Sequence, residues 1–60
     1  AAVYLEKVIE LNPLDPQANH NLVLLYFQHG QPEKSREVVR KMQERGMAVD
    51  NDLLRMVNGQ

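Results

Sequence analysis

A chain of 60 residues without cysteine excludes a disulfide scaffold and a cysteine-bearing zinc site. At that length only about 60% of the unfolded surface can be buried, so a lone core is marginal. The seven Lys and Arg against eight Asp and Glu leave a net charge of −1, which argues against the basic footprint of a nucleic-acid binder. The longest apolar run, Leu22 to Phe27, is far short of a membrane span, and no charged region with a cleavable apolar segment opens the chain. A membrane partner is therefore not expected. No residue pattern sets a compartment, which leaves the cytoplasm as the default expectation. The opening AAVYLEKVIEL starts within a helical pattern, which leads us to expect a piece of a longer protein.

In chain order, Ala1, Tyr4, Leu5, Val8 and Leu11 recur at helical spacing, with Glu6, Lys7 and Glu10 on the solvated side, so a first amphipathic helix is expected over about 1–12. Asn12-Pro13 stops it, because the proline ring pushes the preceding residue out of the α region. Asp15-Pro16 starts the second helix, expected over about 16–29: the Asp carboxylate caps free N–H groups, and proline at the first helical position loses no intrahelical bond. Gly30 ends that helix and Gln31-Pro32 restarts the chain at once, so the neighbours must be antiparallel. The third helix, about 32–45, shows Ser35, Val38, Val39 and Met42 on one face, with a Glu37–Lys41 pair expected on the other. Gly46 closes it, and Asp50 is the expected cap of a short fourth helix, about 50–58, carrying Leu53, Leu54, Met56 and Val57 until Asn58-Gly59.

The second helix is apolar on two sides. At about 100° per residue, Ala18, Leu22, Leu25, Tyr26 and His29 gather in one stripe, the core face. Leu24 and Phe27 project from the far side with Gln17, His20, Asn21 and Gln28, where an isolated amphipathic helix would be uniformly polar. A second face of that kind needs cover from another part of the parent protein or from a partner.

Sliding the chain on itself by about 34 residues superposes helix on helix: Ala1 meets Ser35, Leu5 meets Val39, Val8 meets Met42, Leu22 meets Met56 and Val23 meets Val57. This period, the Asn19, Leu22, Val23, Tyr26 series, the Gly30 turn and the pairs Ala1 with Leu5 and Ser35 with Val39 resemble the tetratricopeptide repeat family throughout the chain. The resemblance implies an all-α fold of antiparallel helix-turn-helix repeats stacked as an α-solenoid fragment, with the last helix as a cap. Three positions depart from the pattern. Val23 replaces a small residue, from which slightly wider helix spacing or a void opposite it is expected. Asn19 replaces a bulky aromatic, which leaves a pocket unfilled, and Met47 stands where a closing proline is usual. The segment VVRKMQERGMAVD also resembles the end of a pentatricopeptide repeat, a family that reads single-stranded RNA; this is the alternative function.

Catalytic and metal-binding constellations are thin. His20 and His29 fall on roughly opposite faces of one helix and cannot share a metal or a proton. Asp50 and Asp52 lack the third oxygen ligand and the turn glycine of a calcium loop, because Leu54 and Arg55 follow. Ser35 suits a tight helix crossing better than nucleophilic attack. No enzyme activity, cofactor or metal is expected. In the tetratricopeptide family the first helix of each pair lines a concave groove that holds a peptide. By that resemblance Gln17, His20, Asn21, Leu24, Phe27 and Gln28 line the groove, extended by Asn51, Leu54, Arg55 and Asn58 on the last helix. Amides would fix a peptide backbone, Leu24 and Phe27 would seat apolar anchors, and Arg55 would pair with a carboxylate. The expected function is a protein-interaction scaffold with a protein or peptide partner, and self-association through the bare ends of the stack is a further expectation.

Overall fold

The computed structural model describes residues 2–59 and holds four helices: α1 (Ala2–Leu11), α2 (Pro16–Gln28), α3 (Pro32–Glu44) and α4 (Asn51–Asn58). No strand occurs among the described residues. Ala1, assigned above to the inner stripe of the first helix and matched to Ser35, lies outside them.

Local chemistry sets the helix ends. The Asp15 carboxylate accepts from the backbone N–H of Gln17 at 3.0 Å and of Ala18 at 3.1 Å, so two of the orphan donors of α2 are satisfied by one side chain. At the other end Gly30 turns left-handed, with φ of +72°; its N–H donates to the Phe27 carbonyl and that of Gln31 to the Tyr26 carbonyl. This is the Schellman arrangement, and it recurs at the end of α3, where Gly46 has φ of +76° and Met47 donates back to Met42 at 2.9 Å. Because Met47 is drawn into this turn, its half-buried side chain packs against the core, and no proline is needed to end the helix. Asp50 precedes α4, but its side chain makes no capping bond, contrary to expectation. The opposite, C-terminal end of that helix is held by Arg36, whose guanidinium donates to the Val57 carbonyl at 3.1 Å.

The helices pack in chain order, most extensively α2 on α3, then α1 on α2 and α3 on α4. Ser35 lies against Val23 while Arg45 reaches Pro13, so α2 and α3 run in opposite directions. Val23 and Ser35 are fully buried at the crossing, and the Ser35 hydroxyl donates to the Val23 carbonyl at 2.8 Å. The small serine facing Val23 makes room for its extra bulk. Around this point Val23, Val39, Met42, Leu53 and Val57 form the core cluster.

Several sequence assignments change. In α1 no side chain is fully buried. Leu5, Val8 and Ile9 are half-buried, while Tyr4 and Leu11, expected inward, are exposed along with Val3. Tyr4 and Leu11 lie well round the helix from Leu5 and Ile9, so an arc that faces α2 through the latter pair turns the former outward. Glu6, expected to be merely solvated, accepts a hydrogen bond from the Tyr26 hydroxyl, and the Lys34 ammonium sits 5.5 Å from the centroid of the same ring. His29 is exposed: it forms the C-cap of α2, beyond the last inward turn. The Glu37–Lys41 pair is replaced by Arg40, which bridges Glu37 and Glu44 in the open, where such pairs contribute little.

Two predictions follow from the ends and the packing of α2. Asp15→Ala should lower unfolding free energy in urea by about 1 kcal/mol through the lost cap, and Gly30→Ala by about 1–2 kcal/mol through left-handed strain, since a Cβ there meets nothing. Tyr26 is pushed up to about 12, chiefly by its hydrogen bond to Glu6, then by burial and by the Glu6 charge. A phenol raised on folding favours the folded chain below its unfolded pKa of 10, and this contribution is lost as pH rises through about 12. The stability of the wild type should therefore fall more steeply between these values than that of Tyr26→Phe, as measured by urea unfolding at stepped pH.

Candidate partner-binding surface

The candidate site is built on the side of α2 turned away from Leu22 and on the outer side of α4. Asp15 and Gly30 fix the two ends of α2, so its outward residues hold a defined register. Gln17, Asn21 and Gln28 are exposed, whereas His20, Leu24 and Phe27 are half-buried. On α4, Asn51, Arg55 and Asn58 are exposed and Leu54 is half-buried. Leu24 and Leu54 both pack against the core cluster along one flank, which makes them apolar anchors on rigid supports rather than loose surface side chains.

The structure brings these residues together only in part. His20 and Asn51 line one cavity of about 490 Å³, together with Pro16, Val49 and Asp50, above Met42 and Leu53. Leu54, Arg55 and Asn58 line a second of about 460 Å³ with Gly59. Gln17, Asn21, Leu24, Phe27 and Gln28 border neither; they form the ridge of α2 itself. Arg55 donates to Asp52 at 2.8 Å within α4, a pair so exposed that a carboxylate from a partner can displace it at little cost. The surface presents side-chain amides, half-buried apolar residues and one guanidinium.

Asn19 escaped the reading of the sequence as a structural residue. It is 1% exposed, and its Nδ2 donates to the carbonyls of Pro13 at 3.0 Å and Asp15 at 2.8 Å, which ties the turn between α1 and α2 to the helix. The signal was present, because Asn19 shares the inner stripe of α2 with Leu22 and Tyr26 by spacing. What spacing cannot show is that the partners are backbone carbonyls. Beside Asn19 a third cleft, of about 260 Å³, opens between α1, α2 and α3, floored by Ile9, Leu22, Tyr26 and Val38.

Among the described residues no group of three or more His, Asp or Glu side chains is placed to hold a metal ion, and no helix is long and apolar enough to cross a membrane. His20 is half-buried on the candidate surface and His29 is exposed at the helix end.

No curated protein and no solved structure matches this chain. The sequence pattern of the tetratricopeptide repeat family matches residues 4–37, more than half of the chain, running from α1 through the whole of α2 into α3. Repeats of this family serve as protein-interaction modules. With its all-α helix pairs and a matched region centred on α2, the chain belongs to the tetratricopeptide repeat family.

Proposed function

We propose that this chain is a non-catalytic scaffold segment, part of a longer repeat array, that binds a peptide or partner helix across the outward side of α2 and α4. The observation that carries the reading is the composition of that side: Leu24, Phe27 and Leu54 stand half-open among Gln17, Asn21, Gln28, Asn51 and Asn58. Apolar anchors ringed by side-chain amides suit a ligand that offers apolar side chains and unpaired backbone groups, and the amides satisfy those groups without a net charge. Only Arg55 is positively charged in this set, so an acidic chain terminus is a poor fit. The bare side of α1, with Val3, Tyr4 and Leu11 exposed, is where a neighbouring repeat or a second copy would stack.

Peptides selected from a random display library against the wild type provide the test. Phe27→Ala should weaken their binding by about 2 kcal/mol, the usual cost of truncating an aromatic anchor, while lowering stability by only about 1 kcal/mol because Phe27 is half-open. Leu22→Ala should cost about 2–5 kcal/mol of stability, since Leu22 is 4% exposed in the core. Urea unfolding of both variants, with fluorescence-polarisation binding, separates the roles; equal destabilisation would make Phe27 core and remove it from the surface. Tight, steeply salt-dependent binding of random single-stranded RNA would favour the pentatricopeptide-like alternative instead.

A further inference from the structure

Every large apolar side chain that stands exposed among the described residues lies on α1 or in the turn that follows it: Val3, Tyr4, Leu11 and Leu14, between 58% and 83% open. We propose that this side of α1 pairs with the same side of a second copy of the chain, the two α1 helices running antiparallel about a twofold axis. Apolar residues scattered singly over a surface need no explanation, but a contiguous group marks an interface. At about 100° per residue, Val3, Lys7, Leu11 and Tyr4 follow one another round a single arc, with Glu10 at its edge. That arc is centred about 180° from the half-buried Leu5 and Ile9, which face α2, so it looks away from the rest of the chain.

Charge selects a second copy as the occupant. Lys7 and Glu10 are the charged residues of the arc, both are exposed, and neither enters an ion pair among the described residues. The face is therefore neutral overall, with one group of each sign three residues apart, and it complements itself in one orientation. When two copies of α1 lie antiparallel with the axis at the level of Val8 and Ile9, Lys7 of each stands opposite Glu10 of the other, and the contact is reciprocal. Parallel pairing sets Lys7 against Lys7 and Glu10 against Glu10, and like charges oppose it.

The apolar residues fit the same register. Tyr4 of one copy falls about 3 Å along the helix axis from Leu11 of the other, within reach of its ring. Lys7, in the middle of the arc, lays its aliphatic stem along these residues while its ammonium reaches outward to the carboxylate. The contact is small. At ten residues α1 is about 15 Å long, so one helix against another covers well under the roughly 800 Å² per partner of a standard interface, and the dimer belongs to the weak class. It uses no residue of α2 or α4, so it stands or falls separately from peptide binding there.

Sedimentation equilibrium of the 60-residue chain from about 10 µM to about 3 mM is the test. A monomer–dimer equilibrium with a Kd of about 0.1–1 mM is expected. Leu11→Lys should stay monomeric throughout, with the helix content by circular dichroism unchanged, because Leu11 is exposed and a cation suits a helix C-terminus. Lys7→Glu and Glu10→Lys should each weaken dimerisation about fivefold or more by placing like charges opposite one another. Combining Lys7→Glu with Glu10→Lys exchanges the two signs and should restore the wild-type Kd to within about twofold. A wild type that is monomeric at about 3 mM, which would leave the face to a neighbouring repeat, undiminished pairing of Leu11→Lys, or a double variant no tighter than the single ones would each overturn the proposal.

Discussion

The close crossing of α2 and α3 at Val23 and Ser35 is the constraint on which the rest of the structure depends. Both residues are fully buried, and a hydroxyl on one helix donates into the carbonyl of the other. Such an approach requires a small side chain on one partner, which Ser35 provides, and a reversal tight enough to bring the helices back on each other, which Gly30 and Pro32 provide. Once the crossing is set, Val39 and Met42 reach the same cluster as Val23, and the turn at Gly46 returns Leu53 and Val57 of α4 onto it. Among the described residues, five of the eight buried apolar side chains meet in the cluster built on this crossing, whereas α1 has no fully buried residue.

Because every other helix is laid against α2 or α3, α2 serves several environments at once. One side meets α1 through the hydrogen bond of Tyr26 to Glu6, the next meets α3 where Val23 faces Ser35, and the remainder is open with Gln17, Asn21 and Gln28. Function is proposed for that remainder, since its apolar residues are supported from below but not covered from above. The same logic explains the bare side of α1. Its inward arc is satisfied by α2, and Val3, Tyr4 and Leu11 are left for a neighbour.

The helices and turns were legible because their punctuation is chemical and local: Asp15-Pro16, Gly30 with Pro32, and Gly46 each act within a few residues of where they stand. The inner stripe of α2 was legible for Ala18, Leu22 and Tyr26 by spacing alone. What spacing could not resolve was which arc of α1 faces its neighbour, so Tyr4 and Leu11 were assigned inward when only the position of α2 decides the matter. Asn19 was read by its side-chain size, yet its role depends on two carbonyls in the preceding turn. Likewise Asp50 has the residue type of a cap without making the bond, while Arg36, distant in sequence, holds the opposite end of α4. The candidate surface was readable as a set of outward residues. Its division into the ridge of α2 and two separate cavities was not, because the path of the linker through Met47 and Val49 determines where α4 lies.

The central claim is that α2 divides into an inner side that makes the fold and an outer side that binds. Backbone amide chemical-shift mapping of the labelled chain, titrated with a peptide selected against it, tests this most directly. The account predicts that the largest shifts fall at Gln17, Asn21, Leu24, Phe27 and Gln28 and continue to Leu54 and Arg55, with the exposed side of α3 around Glu33, Arg40 and Glu44 unmoved. Shifts concentrated on that side of α3, with the outer residues of α2 unaffected, would contradict it.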